Sequence, residues 1–113
     1  MPRKLTAILS VSVITIVGLY VYNNRQISFN SSDWKMNVSK RPRMIESLLR
    51  DHKLVGAARE SIDDLLGVPS ASRDSVIGDR YIYWAGSDGV IDDMWLEIRF
   101  ADDHVVDARY IPD

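Results

Sequence analysis

Met94-Trp95-Leu96-Glu97-Ile98-Arg99-Phe100 alternates without a break: Met94, Leu96, Ile98 and Phe100 fall on one side of an extended chain, and Trp95, Glu97 and Arg99 on the other. Successive side chains of a strand point to opposite faces, so this stretch reads as a strand with one apolar and one wet face. A single sheet layer must cover its apolar face, and helices are the usual cover. Downstream, Ala101-Asp102-Asp103-His104 reads as a short turn and residues 105–111 as a returning strand. Its faces divide as Val106, Ala108 and Tyr110 against Val105, Asp107, Arg109 and Ile111. Upstream, Tyr81-Ile82-Tyr83-Trp84 opens a strand rich in aromatic and β-branched residues. Residues 85–93, with Gly86, Asp88 and Gly89, make a connection longer than an ideal hairpin turn. Pro69 to Arg80, with its Ser, Asp and Gly, reads as surface loop.

Two helices precede these strands. Ile45, Leu48, Leu49 and His52 recur at i, i+3, i+4 and i+7, which predicts a helix over 43–53 with Glu46, Ser47, Arg50 and Asp51 on the wet side. Pro42 sits at its start, where a missing N–H costs nothing. Leu54-Val55-Gly56 is a tight turn, and a second helix follows over 58–66 with Ile62, Leu65 and Leu66 on its stripe. Gly67 stands where a C-terminal cap is wanted, and Pro69 prevents resumption. Helices this short need a third layer to be stable.

Residues 23–42 show neither period and are rich in Asn and Ser, which suits a tether; Trp34 and Met36 are its exceptions, read as an arm lying back on the domain or as a contact with another protein. Leu5 to Tyr22 carries no charge over eighteen residues, preceded by Arg3 and Lys4. As a helix it would be about 27 Å long, close to the roughly 30 Å of bilayer hydrocarbon. A cleaved secretory signal would end in small residues, whereas this run ends with Tyr20 and Tyr22, which suit a headgroup interface. The expected order is thus a basic head (1–4), a transmembrane anchor (5–22), a tether (23–42) and a domain (43–113). The fold class is α+β: an N-terminal transmembrane helix, then two short helices packed on a three-stranded antiparallel sheet. The two-charge head favours a single pass through the cytoplasmic membrane with the domain in the periplasm or outside.

Charge narrows the function. Residues 1–43 hold seven Lys or Arg and one acid, a net of +6, while residues 44–113 hold seven Lys or Arg and fifteen acids, a net of -8. An acidic domain argues against nucleic acid, whose phosphates demand clustered Lys and Arg. The chain has no cysteine, so neither a disulfide nor a lipidated cysteine is expected. Catalysis has little to draw on. His52 belongs to the first helix, His104 lies in a turn beside Asp102 and Asp103, and no zinc, calcium-loop, phosphate-loop or dinucleotide motif is present. No cofactor, metal or small-molecule substrate is expected.

Leu54-Val55-Gly56, a short helix closing Leu65-Leu66-Gly67-Val68-Pro69, the strand Trp95 to Phe100, a short acidic turn and Val105-Val106 together resemble the small bacterial envelope domains of the SmpA/OmlA (BamE-like) type and their β-lactamase-inhibitor-like relatives. The resemblance covers about residues 43–111. It implies a membrane-tethered envelope protein that assists assembly or binds other proteins. Family patterns place a capping serine or threonine where this chain has Ala58.

The outer face of the sheet carries the candidate site: Trp95, Glu97 and Arg99, with Asp107 and Arg109 opposite, and either Tyr81 and Tyr83 or Ile82 and Trp84 from the first strand. Charges across strands pair with one another, but tryptophan on a wet face is a protein-interface residue. Two functions are expected from this. One is a membrane-anchored, non-catalytic module that binds an envelope protein partner, with residues 5–22 in the lipid bilayer. The other is an inhibitor or immunity-type protein whose acidic surface and 86–93 loop cap the basic site of an enzyme or toxin.

Overall fold

The structure is a computed structural model and describes residues 25–87 and 92–113. Its elements are helices α1 (Ser31–Met36), α2 (Arg41–Asp51) and α3 (Arg59–Leu66), a 3-10 turn (Val38–Lys40), and strands β1 (Ser75–Ile77), β2 (Arg80–Ser87), β3 (Asp93–Ala101) and β4 (His104–Pro112). The strands form one antiparallel sheet in the order β1-β2-β3-β4, and the helices cover one face of it.

The α+β class therefore needs correction in its parts. The sheet has four strands rather than three, because residues 75–77 leave the expected loop and pair with β2. Gly78 and Asp79 are the two residues between the paired Ile77 and Arg80, and Gly78 has φ +61. Glycine at the first position of a two-residue hairpin supplies that positive φ without steric cost. Among the described residues the helical layer has three helices, not two. Among the described residues no helix is long and apolar enough to cross a membrane, and the span expected over 5–22 lies outside the described residues, as does the head at 1–4.

Segment 25–40, expected as a tether, is laid against the domain. Asn30 caps α1 by accepting from the Asp33 N–H at 2.9 Å, and the helix places Trp34 at zero exposure between α2 and the sheet. The Phe29 N–H donates to Ser47 Oγ (2.9 Å), and the Ile27 N–H to the Arg43 carbonyl (2.8 Å). This arm rotates the buried stripe of α2. Arg41, Met44, Ile45, Ser47 and Leu48 are buried, while Leu49, expected inside, is 40% exposed. Ser47, expected on the wet side, lies under Phe29.

The last strand also departs from simple alternation. Arg99 pairs with Asp107 but Phe100 pairs with Val105, so Val106 is an extra residue in a bulge. A bulge shifts the side chains beyond it to the other face. Val105 is thus 2% exposed in the core with Ala108 and Tyr110 behind it, and Val106 is turned out at 44%. A second irregularity, between Trp84 and Ser87 in β2, places Gly86 against α2; a Cβ there would lie 2.9 Å from Pro42 Cγ.

Ala58 at the N-cap of α3 offers no side-chain acceptor. The Asp103 carbonyl substitutes in part by accepting the Arg59 N–H at 2.8 Å. Ala58 already has the extended conformation of a cap residue, φ -68 and ψ 151. Ala58→Ser should therefore raise stability by about 0.5–1 kcal/mol by offering a side-chain acceptor to the first-turn N–H groups of α3. Urea denaturation would show this as a higher midpoint at unchanged slope.

Among the described residues one ion pair is buried. The Arg41 and Asp74 side chains are 3% and 1% exposed, with Nη1 2.9 Å from Oδ1. Arg41 Nε donates to the Trp34 carbonyl (2.8 Å) and Nη1 to the Trp84 carbonyl (3.1 Å), while Asp74 Oδ1 accepts the Trp84 N–H (2.9 Å). The guanidinium also lies 4.9 Å above the Trp34 ring. One arginine thus joins α1, α2, the residue before β1, and β2.

Three phenols face inward. Burial raises the pKa of Tyr81, Tyr83 and Tyr110, and for Tyr81 the bond its hydroxyl donates to Asp63 (2.8 Å) adds to the effect. In the unfolded chain a tyrosine ionises near pH 10. Below that pH the phenols are neutral in both states and cost nothing. Above it the unfolded chain ionises more readily than the folded one, so stability should fall as pH rises. Phenolate absorbance from these three residues should rise together with the loss of circular dichroism, not ahead of it.

Candidate functional site

The pairing registers set out the outer face as rows across the strands. Trp84, Trp95 and Ile111 form the first row; Ser75, Ile82, Glu97 and Arg109 the second; Ile77, Arg80, Arg99 and Asp107 the third. The five residues expected on this face share it. The alternative left open for the first strand falls to Ile82 and Trp84, since Tyr81 and Tyr83 are buried beneath the helices at 5% and 0% exposure.

Glu97 is the anchor of the charged part. It is 8% exposed although it lies on the outer face, because two arginines close over it. Arg109 Nη2 is 3.1 Å from Oε1, and Arg80 Nη1 is 3.7 Å from Oε2. Arg109 also holds Asp107, Nε to Oδ2 at 3.0 Å. Both carboxylates are thus engaged by Arg109, and the exposed Arg99 guanidinium has no ion pair or hydrogen bond among the described residues. Such partly exposed pairs contribute little to stability, about 0–1 kcal/mol each.

Next to Arg109 and Arg80, and sharing Glu97 with them, lies a hollow of about 260 Å³ lined by Ile82, Trp95, Ile111 and Pro112 together with Arg73, Ser75, Glu97 and Asp113. Trp84, next to Trp95, is fixed in place. Its indole N–H donates to Asp93 (3.0 Å), and the Arg73 guanidinium, itself paired with Asp93 at 3.1 Å, stacks 5.3 Å from its ring. Trp95 has no cation stacked on it among the described residues. It is half-buried and lines the hollow.

Residue counting missed Arg80 and Arg73. Arg80 joins the site because Gly78-Asp79 is a hairpin turn, and that dipeptide between Val76-Ile77 and Tyr81-Ile82 was the available signal. The histidines lie elsewhere. The His52 ring packs edge-on against Phe29 at 5.1 Å, and His104 is exposed with Nδ1 2.9 Å from the Asp102 carbonyl. Among the described residues no three metal-ligating side chains converge. Of the 86–93 loop, residues 88–91 lie outside the described residues. This face brings together a tryptophan-lined hollow and guanidinium groups on adjacent strands.

No family model, curated protein or solved structure matches this chain.

Proposed function

We propose that this domain is a non-catalytic protein-binding module that works through the outer face of its sheet. The observation that carries the reading is the row Trp84–Trp95–Ile111 on the same face as Arg99, whose guanidinium has no ion pair among the described residues. Aromatic residues and arginine are the side chains most enriched at the energetic centres of interfaces, and nothing in the packing of the core calls for a tryptophan at position 95. For the setting we propose a bacterial envelope membrane, with the domain outside the cytoplasm. Its support is in the sequence: the uncharged run Leu5 to Tyr22, and the resemblance of residues 43–111 to SmpA/OmlA-type envelope domains.

The second reading, an inhibitor or immunity-type protein that caps a basic site, draws on one observation, the net charge of -8 over residues 44–113. The two readings part on the face used and on the charge of the partner.

A photo-crosslinking residue at position 95 of the full chain, compared with one at position 60 on α3, tests the proposal in the native host. Crosslinks confined to position 95, and abolished by Arg99→Ala in a chain that keeps its circular dichroism, are the expected result. Equal crosslinking from position 60, or yields unaltered by Arg99→Ala, would remove the sheet face from consideration.

A further inference from the structure

We infer that the partner element taken by this face is an extended segment carrying an acidic residue and, four residues away, a large apolar one: the carboxylate between Arg80 and Arg99, the apolar side chain in the hollow beside Trp95. This rests on the protein-binding reading above and specifies its partner.

The first observation is electrostatic. Arg80 and Arg99 are register partners on the same face, and like charges directly opposite each other on adjacent strands destabilise a sheet. Nearby carboxylates do not resolve the conflict. Asp107 lies opposite Arg99 in register, yet its carboxylate is held by Arg109, and Glu97 is closed over by Arg109 and, more loosely, Arg80. Arg109 and Arg80 thus take up both carboxylates, and Arg99 is left without one among the described residues. In a domain whose net charge is acidic, this leaves a local positive excess at Arg80 and Arg99. An arginine fork matches a carboxylate through two parallel N–H···O bonds, so an incoming Asp or Glu removes the repulsion and supplies the missing anion.

The second observation is spacing. Arg99 and Trp95 stand on one strand four residues apart, about 13 Å at 3.3 Å per residue. An extended segment lying along β3 presents its own residues i and i+4 to the same face over the same distance. A helix would need about nine residues to span it. The hollow of about 260 Å³ has room for one large apolar side chain.

The third observation concerns the sheet edges, which are the usual alternative for an extended peptide. β1 has three residues. β4 is partly covered where the Val105 N–H donates to the Ala57 carbonyl (2.8 Å) and the Gly56 N–H to the Val105 carbonyl (2.7 Å). Farther along, β4 ends in Pro112, which has no N–H to offer. Short, covered or proline-ended edges discourage strand addition, whereas the face is open.

The test is selection of displayed random peptides of about sixteen residues on the immobilised full chain, repeated on Arg99→Gln and Trp95→Ala. Arg99 is exposed and without an ion pair among the described residues, so its variant is expected to fold, which circular dichroism checks. Selected peptides should be enriched about fivefold or more in Asp or Glu four positions from Trp, Phe, Leu or Ile. Arg99→Gln should abolish the acidic preference alone and Trp95→Ala the apolar preference alone. Enrichment of Lys and Arg, an acidic preference unchanged in Arg99→Gln, or no enrichment at this spacing overturns the inference. Crosslinking from position 95 decides separately whether the face binds protein: it persists if only the stated partner chemistry is wrong, and it vanishes if the binding reading itself fails.

Discussion

Replacing Arg41 by alanine should cost about 3–5 kcal/mol and leave most molecules unfolded at 37 °C. A domain of this size has a margin of only a few kcal/mol, so a single loss of that size removes it. The cost is not the attraction between Arg41 and Asp74, which is offset by the desolvation of both. It is what the deletion leaves behind: the Asp74 carboxylate at 1% exposure without its cation, and the Trp34 and Trp84 carbonyls without a donor. Arg41→Lys should recover only part of this, because one ammonium cannot reach the positions that Nε and Nη1 fill together. The discriminating variant is Arg41→Met with Asp74→Asn. It removes both charges while an amide oxygen still accepts the Trp84 N–H, and it should recover more than half of the single-variant loss. Urea denaturation measures all three. A cost below about 1 kcal/mol for Arg41→Ala would mean that the pair is solvated, and the junction of α1, α2, β1 and β2 would need another account.

The parts of this fold legible in the sequence are those where local pattern and tertiary role agree. β3 and α3 are amphipathic at their own periods, and Gly67 with φ +78 ends α3 where a C-terminal cap was expected. The parts that were not legible depend on contacts far apart in sequence. Arg41 and Ser47 read as polar surface because nothing local announces Asp74 or the Phe29 N–H as partners. Val105 and Val106 are both apolar, so which one faces the core is decided by the bulge and not by hydrophobicity. The site shows the same division. Trp95, Glu97 and Arg99 follow from alternation along one strand, but the burial of Glu97 and the isolation of Arg99 depend on Arg80 and Arg109 arriving from β2 and β4 in a particular register.

Trp34→Ala is the second change expected to cost about 3–5 kcal/mol, and it tests whether residues 25–36 belong to the domain. The side chain is fully buried, 6.0 Å from the rings of both Phe29 and Tyr83, with the Arg41 guanidinium above it. Its removal opens a cavity beside the buried ion pair, so water gains access to Arg41 and the two losses are coupled. The double variant with Arg41→Ala should accordingly lose less than the sum of the single costs. Trp34→Phe separates volume from polarity. The indole Nε1 has no hydrogen-bond partner among the described residues, and a buried unsatisfied N–H costs about 1–3 kcal/mol. Phenylalanine gives up contact area but also removes that N–H, so its cost should be near 1 kcal/mol or less. Limited proteolysis supplies the readout a purely global effect would not move. If the arm is part of the domain, cleavage within residues 25–36 should accelerate in Trp34→Ala in step with global unfolding, while Trp34→Phe stays protected. If the arm is cleaved rapidly in the unaltered protein with no loss of stability, it is a tether after all, and the rotated stripe of α2 would have no cause.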